Sequence, residues 1–171
     1  MNKDALLLIG AGGLAYAAFM AARSGATEPS NYDVGSNPGR TAQDVDILAR
    51  TIWGEARGEG TRGMQAVANV VMNRVAKQTW YGKTVVEVCQ KKGQFTAWTK
   101  GDPNYQPAHA VTTNNPAFAE ALQIAARAVA GTLPDITGGA DHYFNPNVVL
   151  PSWAQTMSHL IDIGRHAFYR A

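Results

Sequence analysis

The sequence predicts an α+β domain that is mostly α-helical and has a small irregular or β part. Apolar residues recur at helical spacing in four segments between residues 42 and 131. After Pro134 the chain becomes rich in glycine, asparagine and proline, which is typical of loops with short strands. Residues 159–170 alternate in polarity and are predicted to form a short strand or a hairpin with a bend near Gly164.

The composition fits one domain and excludes several classes of protein. The chain has 171 residues, 46% of them hydrophobic, which is enough for one core and too many for a disordered chain. A net charge of +2 gives no reason to expect a nucleic-acid partner. The single cysteine, Cys89, excludes an internal disulfide and is either a buried core residue or a thiol nucleophile. No metal or other cofactor is expected, because the histidines lack the spacing of metal ligands: His109, His142, His159 and His166.

The N-terminal segment, residues 1–23, is hydrophobic. Residues 5–22 form an uncharged run of 18 residues, at the lower limit for a helix that spans a bilayer. The run fits a signal peptide, a membrane anchor or a packed helix, and we expect an export or membrane role. Residues 24–40 are predicted to be a linker because they hold two prolines and several glycines. The folded domain is therefore predicted to span residues 41–171.

The first two helices of the domain are predicted from their apolar faces. Helix one is expected over about residues 42–56, after an N-cap at Thr41. Its apolar stripe consists of Val45, Leu48, Ala49, Ile52, Trp53 and Ala56. Helix two is expected over about residues 62–77, with a core face of Met64, Val67, Ala68, Val71 and Val75.

The next two helices are predicted from their caps. Thr84 and Glu87 have the spacing of a capping box ahead of a short third helix. Asn115 is expected to cap the fourth helix, with Pro116 in its first position and Gly131 after its end. These elements complete the helical part of the prediction.

Glu55 carries the clearest chemical signal. On a helical wheel it stands at the edge of the apolar stripe of helix one, where partial burial favours the protonated form of a carboxyl group. A general acid needs that form near neutral pH. Gly54 and Gly58 beside it leave room for a ligand or simply end the helix. The alternative is a structural salt bridge from Glu55 to Arg50 or Arg57.

Glu59 is a candidate second carboxylate. If helix one continued for another turn, Glu55 and Glu59 would lie about 6 Å apart, near the separation in retaining glycosidases. Gly58 argues against a regular turn at this point. Glu59 would otherwise face solvent or pair with an arginine.

Two short segments combine aromatic rings with amides or hydroxyls. One holds Gln94, Phe95, Thr96 and Trp98, and the other holds Tyr143, Phe144 and Asn145. Such rings stack on sugars while amides bond sugar hydroxyls, although aromatic rings also serve as core residues beneath turns. His166, in the tail, is either a structural histidine or part of a site.

Several motifs together resemble one family. They are IWGEARGEG with AVANVVMNRV, then GQFTAW, GGADHYFNP and IGRHAFY, in this order between about Asp46 and Tyr169. In order and approximate spacing they resemble the SleB-type cell-wall hydrolases, which include spore-cortex lytic enzymes and related phage lysins. The WGEARGE motif is the most specific of them.

The resemblance implies a lysozyme-like, mostly helical domain that cuts the glycan strand of peptidoglycan, as a lytic transglycosylase or a muramidase-like enzyme. The family's catalytic glutamate corresponds to Glu55. The substrate-binding positions that its other motifs imply are Gln94, Phe95, Thr96, Tyr143, Asn145 and His166. Phe144 departs from the pattern, since a second tyrosine is common there, and a hydroxyl contact is expected to be absent.

The preferred hypothesis from this resemblance is a lytic transglycosylase with Glu55 as its acid and base. The alternatives are a muramidase that uses water with Glu55 and Glu59, and a non-catalytic wall-binding or virion structural protein. Residues 5–22 are expected to hold the domain at the inner membrane, facing the periplasm or the cell wall. Because no segment resembles the separate peptidoglycan-binding domain of spore enzymes, a phage lysin or a virion-associated protein is expected.

Overall fold

The computed structural model of the protein describes residues 42–171. This part of the chain forms five α-helices, named α1 (Ala42–Ala56), α2 (Gly60–Lys77), α3 (Val85–Gln90), α4 (Tyr105–Ala110) and α5 (Pro116–Val129). Three strands follow, named β1 (His142–Phe144), β2 (Ser158–Ile163) and β3 (His166–Arg170). Short 3₁₀ helices lie at Arg57–Glu59, Thr96–Trp98 and Ser152–Gln155. The prediction of a mostly helical α+β domain is confirmed.

Helix α1 is the centre of the helical core. It packs against α2, α3 and α5 and is buried around most of its circumference. Leu48, Ala49 and Ile52 have no exposed surface. The Trp53 indole N–H donates to the Asn115 side chain at the start of α5, at 3.3 Å. Packing of this density holds the C-terminal end of α1 in one position.

The predicted helices are confirmed with small changes at their ends. Helix α1 has the predicted bounds, although the cap proposed at Thr41 lies outside the described residues. Helix α2 begins two residues earlier than predicted, at Gly60, whose φ of +67° suits a glycine. The predicted N-caps of α3 and α5 are formed, since Thr84 and Asn115 each accept a backbone N–H at 3.1 Å.

The strands form one antiparallel sheet in the order β1–β3–β2. Strands β2 and β3 make the hairpin that the alternating tail predicts, and Gly164 in its turn has a φ of +60°. One face of the sheet packs on α2 in a second, smaller core of Ala66, Val70, Ala140, Ile163 and Phe168. Helix α2 therefore contributes to both cores.

Polar residues on α2 hold the loop that leads into β1. Gln65 and Asn69 donate to the carbonyl of residue 134, at 2.9 and 3.2 Å. Asn73 donates to the Ala140 carbonyl at 2.9 Å. The three side chains are four residues apart and so lie on one face of the helix. That face fixes where β1 begins.

Asp141 is a fully buried carboxylate directly before β1. Its oxygens accept from Lys77, from Nδ1 of His142 at 2.8 Å and from the Ala171 backbone N–H at 3.0 Å. Burial by itself raises the pKa of the Asp141 carboxyl, but these hydrogen bonds outweigh burial and hold the pKa below its ordinary value. Asp141 thus joins α2, β1 and the end of β3.

The N-terminal segment (residues 1–23) and the linker (residues 24–40) lie outside the described residues, so the expectations for them stay predictions. Within residues 42–171, no helix is both long enough and apolar enough to cross a membrane. In the same range, no group of histidine, cysteine and acidic side chains is arranged to hold a metal ion.

Candidate active site

The Glu55 carboxylate lies where the end of α1 meets the Thr96–Trp98 helix and strand β1. Its Oε1 accepts two hydrogen bonds from Thr96, one from the backbone N–H and one from the hydroxyl, both at 2.8 Å. Its Oε2 accepts a hydrogen bond from the Tyr143 hydroxyl at 3.1 Å. Glu55 is half-buried. Three donors from two distant segments thus meet at one carboxylate.

The two arginines that the sequence offers as partners of Glu55 bond elsewhere. Arg50 donates to Asp46 at 2.8 Å and to backbone carbonyls at the end of α4. Arg57 donates to a backbone carbonyl of α1 and to Oδ1 of Asn104, both at 2.9 Å. The structural salt bridge from Glu55 to Arg50 or Arg57 does not form, and that alternative is wrong.

Gly54 lets the Thr96–Trp98 helix approach α1. A Cβ atom at position 54 would lie 2.8 Å from the Cβ of Ala97, closer than two carbon atoms pack. The Trp98 indole N–H donates to the Thr51 hydroxyl of α1 at 2.9 Å and secures the far end of the short helix. Gly54 therefore gives the short helix room to approach, and Thr96 can reach the carboxylate of the adjacent Glu55.

Gln94 and Phe95 are placed as supports of the loop rather than as contacts for a ligand, which differs from the prediction. The Gln94 amide accepts from Arg74 at 3.0 Å and donates to the Tyr81 carbonyl at 2.8 Å. Phe95 is 2% exposed, and the Arg74 guanidinium lies over its ring at 5.3 Å from the centroid. Both side chains make their contacts within the fold and support the segment that carries Thr96.

Arg74 is a supporting residue that is not among the predicted site residues. It is buried, and its Nε donates to the Asp141 carbonyl at 2.7 Å, so it ties the Gln94 loop to the start of β1. Burial lowers the pKa of Arg74, but a guanidinium remains charged in proteins. A signal for Arg74 exists in the sequence, because it follows Val67 and Val71 on an otherwise apolar helix face.

Tyr143 connects Glu55 to both cores. Its ring stacks on Phe168 with centroids 5.6 Å apart and meets the His166 ring edge-on at 5.2 Å. Burial, and then the neighbouring Glu55 carboxylate, raise the pKa of the Tyr143 phenol well above its ordinary value, so the hydroxyl stays a donor. Phe144 packs on the opposite face of the sheet. A tyrosine hydroxyl at position 144 would therefore lie away from Glu55.

His166 and Asn145 lie at strand ends, and His166 is close to this carboxylate. His166 begins β3, and its Nδ1 is buried without a hydrogen-bond partner among the described residues. Burial lowers the pKa of the His166 imidazole, against the opposing effect of Glu59 and Glu55. Asn145 directly follows β1, and its side-chain oxygen accepts the Asn147 N–H at 2.9 Å. His166 therefore joins the cluster through its contact with the Tyr143 ring, whereas the hydrogen bond of Asn145 lies within its own loop.

Glu59 is bonded to the turn between β2 and β3. Its oxygens accept from the Arg165 backbone N–H at 2.9 Å and from the Arg165 Nε at 2.7 Å. The hydrogen bond from the Arg165 side chain is the main reason why the pKa of the Glu59 carboxyl lies below its ordinary value. A Cβ atom on Gly164 would collide with this carboxylate, so the turn needs glycine there. The interpretation of Glu59 as the partner of an arginine is confirmed.

Cys89 is a core residue. It has no exposed surface, and burial raises the pKa of its thiol to about 12. A thiol in this environment is inaccessible and un-ionised near neutral pH. The alternative of a Cys89 nucleophile is therefore not supported.

Comparison with known proteins places this chain in a family. The family model described as Cell Wall Hydrolase matches residues 58–169. A spore cortex-lytic enzyme of Bacillus cereus is 32% identical over 140 residues, which are 82% of this chain and 49% of that protein. The catalytic domain of the Bacillus cereus SleB protein has a TM-score of 0.62 and 30% identity, covering 78% of this chain and 94% of that chain. The catalytic domain of the germination-specific lytic transglycosylase SleB from Bacillus anthracis has a TM-score of 0.59 and 29% identity, covering 78% of this chain and 99% of that one.

The chain spans about half the length of the curated relatives that it matches. Those relatives are named for the spore cortex, so they give no support to the expected phage setting. The family model begins at residue 58, just after Glu55, and runs almost to the end of β3. Because the family model matches most of the described residues and solved structures of similar sequence share the fold, this chain belongs to the cell wall hydrolase family.

Proposed function

We propose that this protein cleaves the glycan strand of peptidoglycan between N-acetylmuramic acid and N-acetylglucosamine, as a lytic transglycosylase with Glu55 as acid and base. One observation carries the proposal: residues from two separate motifs donate hydrogen bonds to the carboxylate of Glu55, which lies in a third motif. Thr96 and Tyr143 donate to it, and His166 packs against Tyr143. The lytic activity named for the SleB relative of Bacillus anthracis supports the same reaction.

The first step is proton transfer from Glu55 to the glycosidic oxygen. Oε1 already accepts two hydrogen bonds, so the acid carries its proton on Oε2, which accepts one. As the bond from the muramyl C1 to this oxygen breaks, negative charge develops on the carboxylate. The hydrogen bonds from Thr96 and Tyr143 then strengthen, and they stabilise the transition state more than the ground state.

The second step needs neither water nor a second carboxylate. The muramyl 6-hydroxyl oxygen attacks C1 of its own ring, and Glu55 takes the proton that this hydroxyl loses. A 1,6-anhydro ring forms, and Glu55 returns to its protonated state. The alternative in which water is activated with the help of Glu59 gains no support from the site, because both Glu59 oxygens are bonded to Arg165.

The sugar is expected to contact polar side chains of the motifs that reach the surface. Thr96 is exposed, and Tyr143, Asn145 and His166 are partly exposed. These four side chains offer hydroxyl, amide and imidazole groups to sugar hydroxyls. Gln94 and Phe95 act indirectly, by holding Thr96 in place.

Product chemistry tests the proposal. The full chain is incubated with purified peptidoglycan, and the soluble fragments are identified by mass spectrometry. We expect muramyl ends that are one water lighter than reducing ends. Reducing ends would instead mean that water is the nucleophile, and a folded protein that releases no fragments would favour a non-catalytic wall-binding role.

The cellular site proposed for this activity is the cell wall. We retain the proposal that residues 5–22 hold the domain at the inner membrane, with the domain on the periplasmic or wall side. Its basis is the uncharged run in the sequence. Flotation of the full chain with lipid vesicles tests it, and a chain that stays at the bottom of the gradient would contradict it.

Tyr143→Phe is expected to lower the rate of fragment release by roughly tenfold to a hundredfold, the loss of one hydrogen bond to a charged group. The phenyl ring keeps its stacking on Phe168, so the free energy of unfolding should change by about 1 kcal/mol or less. Rates on soluble glycan fragments and urea denaturation measure the two effects. Tyr169→Phe, which removes a hydroxyl from the paired strand β3, is the control. An unchanged rate in Tyr143→Phe would remove Tyr143 from the site.

A further inference from the structure

We propose that Asn104 is a positioning residue for Glu55 and acts through the hydroxyl of Thr96. The inference rests on the proposed function and extends the site by one residue, just before α4, that no motif in the sequence indicates. Asn104 does not contact Glu55. It controls which way the proton of the Thr96 hydroxyl points.

The Thr96 hydroxyl lies between Glu55 and Asn104. Its oxygen is 2.8 Å from Oε1 of Glu55 and 3.5 Å from Nδ2 of Asn104. A hydroxyl has one proton to donate, and an amide NH₂ group cannot accept it. With Nδ2 on one side, the proton of Thr96 is therefore available to Glu55 on the other.

Arg57 determines which end of the Asn104 amide faces Thr96. A guanidinium only donates, and Arg57 donates to Oδ1 of Asn104 at 2.9 Å. The amide is thereby oriented with Nδ2 toward the hydroxyl. Arg57 is itself fixed, because it donates to the Gly54 carbonyl at 2.9 Å and lies over the Trp53 ring at 4.5 Å.

The result is a directional chain of donors that runs from Arg57 through Asn104 and Thr96 to Glu55. The distance of 3.5 Å is at the long end for a hydrogen bond. Asn104 therefore acts mainly because it turns a donor group, its NH₂, toward the Thr96 hydroxyl. The strength of that one hydrogen bond matters less. The backbone N–H of Asn104 donates to Asp102 at 2.8 Å, which holds the residue in its place in the loop.

Aspartate at position 104 would reverse this chain. One carboxylate oxygen still accepts from Arg57, and the side chain keeps its shape. The other oxygen faces Thr96 as an acceptor and draws the hydroxyl proton away from Glu55. Asn104→Asp is therefore expected to abolish the hydrogen bond from the Thr96 hydroxyl to Glu55 as completely as Thr96→Val does.

The test is a double-mutant cycle of Asn104→Asp and Thr96→Val in the full chain. The kcat and KM are measured on soluble glycan fragments, and the free energy of unfolding is measured in urea. We expect Asn104→Asp to lower kcat about tenfold with KM within about twofold. The double variant should be no slower than Thr96→Val, because both changes remove the same hydrogen bond. Asn114→Asp, an exposed change of the same type before α5, controls for added charge.

Independent effects, in which the double variant loses the product of the two single losses, would overturn the inference, as would an unchanged kcat in Asn104→Asp. Failure of the proposed function has a different signature: the wild type releases no fragments, or Glu55→Gln releases as many. In that case the unfolding energies of the same cycle decide the inference. Non-additive energies keep Asn104 coupled to Thr96, and additive energies overturn it.

Discussion

Glu55→Gln is expected to slow the release of soluble glycan fragments by roughly a thousandfold, within the range for loss of a general acid. Glutamine has the shape of glutamate, and its amide oxygen still accepts the two hydrogen bonds from Thr96. It has no proton to give to the glycosidic oxygen and does not take one from the 6-hydroxyl. Quantified fragment release from peptidoglycan, with wild type and variant at equal concentration, measures the effect.

Two matched variants separate loss of the acid from a general effect of removing a carboxylate. Glu87→Gln changes an exposed glutamate on α3, outside the site, and should leave the rate unchanged. Glu59→Gln weakens the bond to Arg165 and should lower stability while the anhydro products persist. A Glu55→Gln variant that keeps a tenth or more of the activity would rule out Glu55 as the acid.

Asp141→Ala is expected to lower the free energy of unfolding by about 3–5 kcal/mol, the cost of removing one partner from a buried ion pair. The change leaves the donors of Lys77, His142 and Ala171 without their acceptor. Such a loss is a large share of the stability of an ordinary domain. Urea denaturation near pH 7 measures it. Asp162→Ala is the control, since Asp162 also bonds a histidine but is exposed, and we expect a change of about 0.5 kcal/mol or less.

The stability lost in Asp141→Ala should depend on pH. The pKa of the Asp141 carboxyl is lower in the folded chain than in the unfolded chain. Its contribution is therefore complete above the unfolded pKa, near 4, and is lost as the pH falls through the lower folded value. The difference between wild type and variant should be full at neutral pH and shrink below about pH 4. A difference that grows in acid would contradict this account.

The fold was predictable where local signals agree. Apolar spacing and caps gave the bounds of α1 and the caps of α3 and α5, because each depends on residues within one helix. Helix α4 has no such pattern: it has six residues, Pro107 among them, and one fully buried side chain, Ala108. The hairpin followed from alternation and Gly164, whereas the place of β1 beside β3 depends on contacts far apart in the chain.

The motifs predicted which segments of the chain form the site. They did not predict the role of each residue within it. The motif residues Thr96 and Tyr143 do lie at Glu55, but Gln94 and Phe95 lie beneath the loop. An amide or ring of the right type for sugar binding serves equally well as a support, and burial decides between the two. Burial is a property of the assembled core. The part proposed for Asn104 was missed for the same reason, since it depends on its contact with Arg57, which is 47 residues away in the sequence.

The hydrogen bonds at Glu55 join parts of the chain that are 41 and 88 residues apart. Closing such long loops is slow compared with forming a helix. Helix α1 is therefore expected to form before either Thr96 or Tyr143 reaches its carboxylate. During that interval the Glu55 carboxylate lacks these three hydrogen bonds, so the proposed acid is not yet in its final environment. If Glu55 is the acid, a newly made chain therefore gains its activity only after the segment that carries Tyr143 has docked.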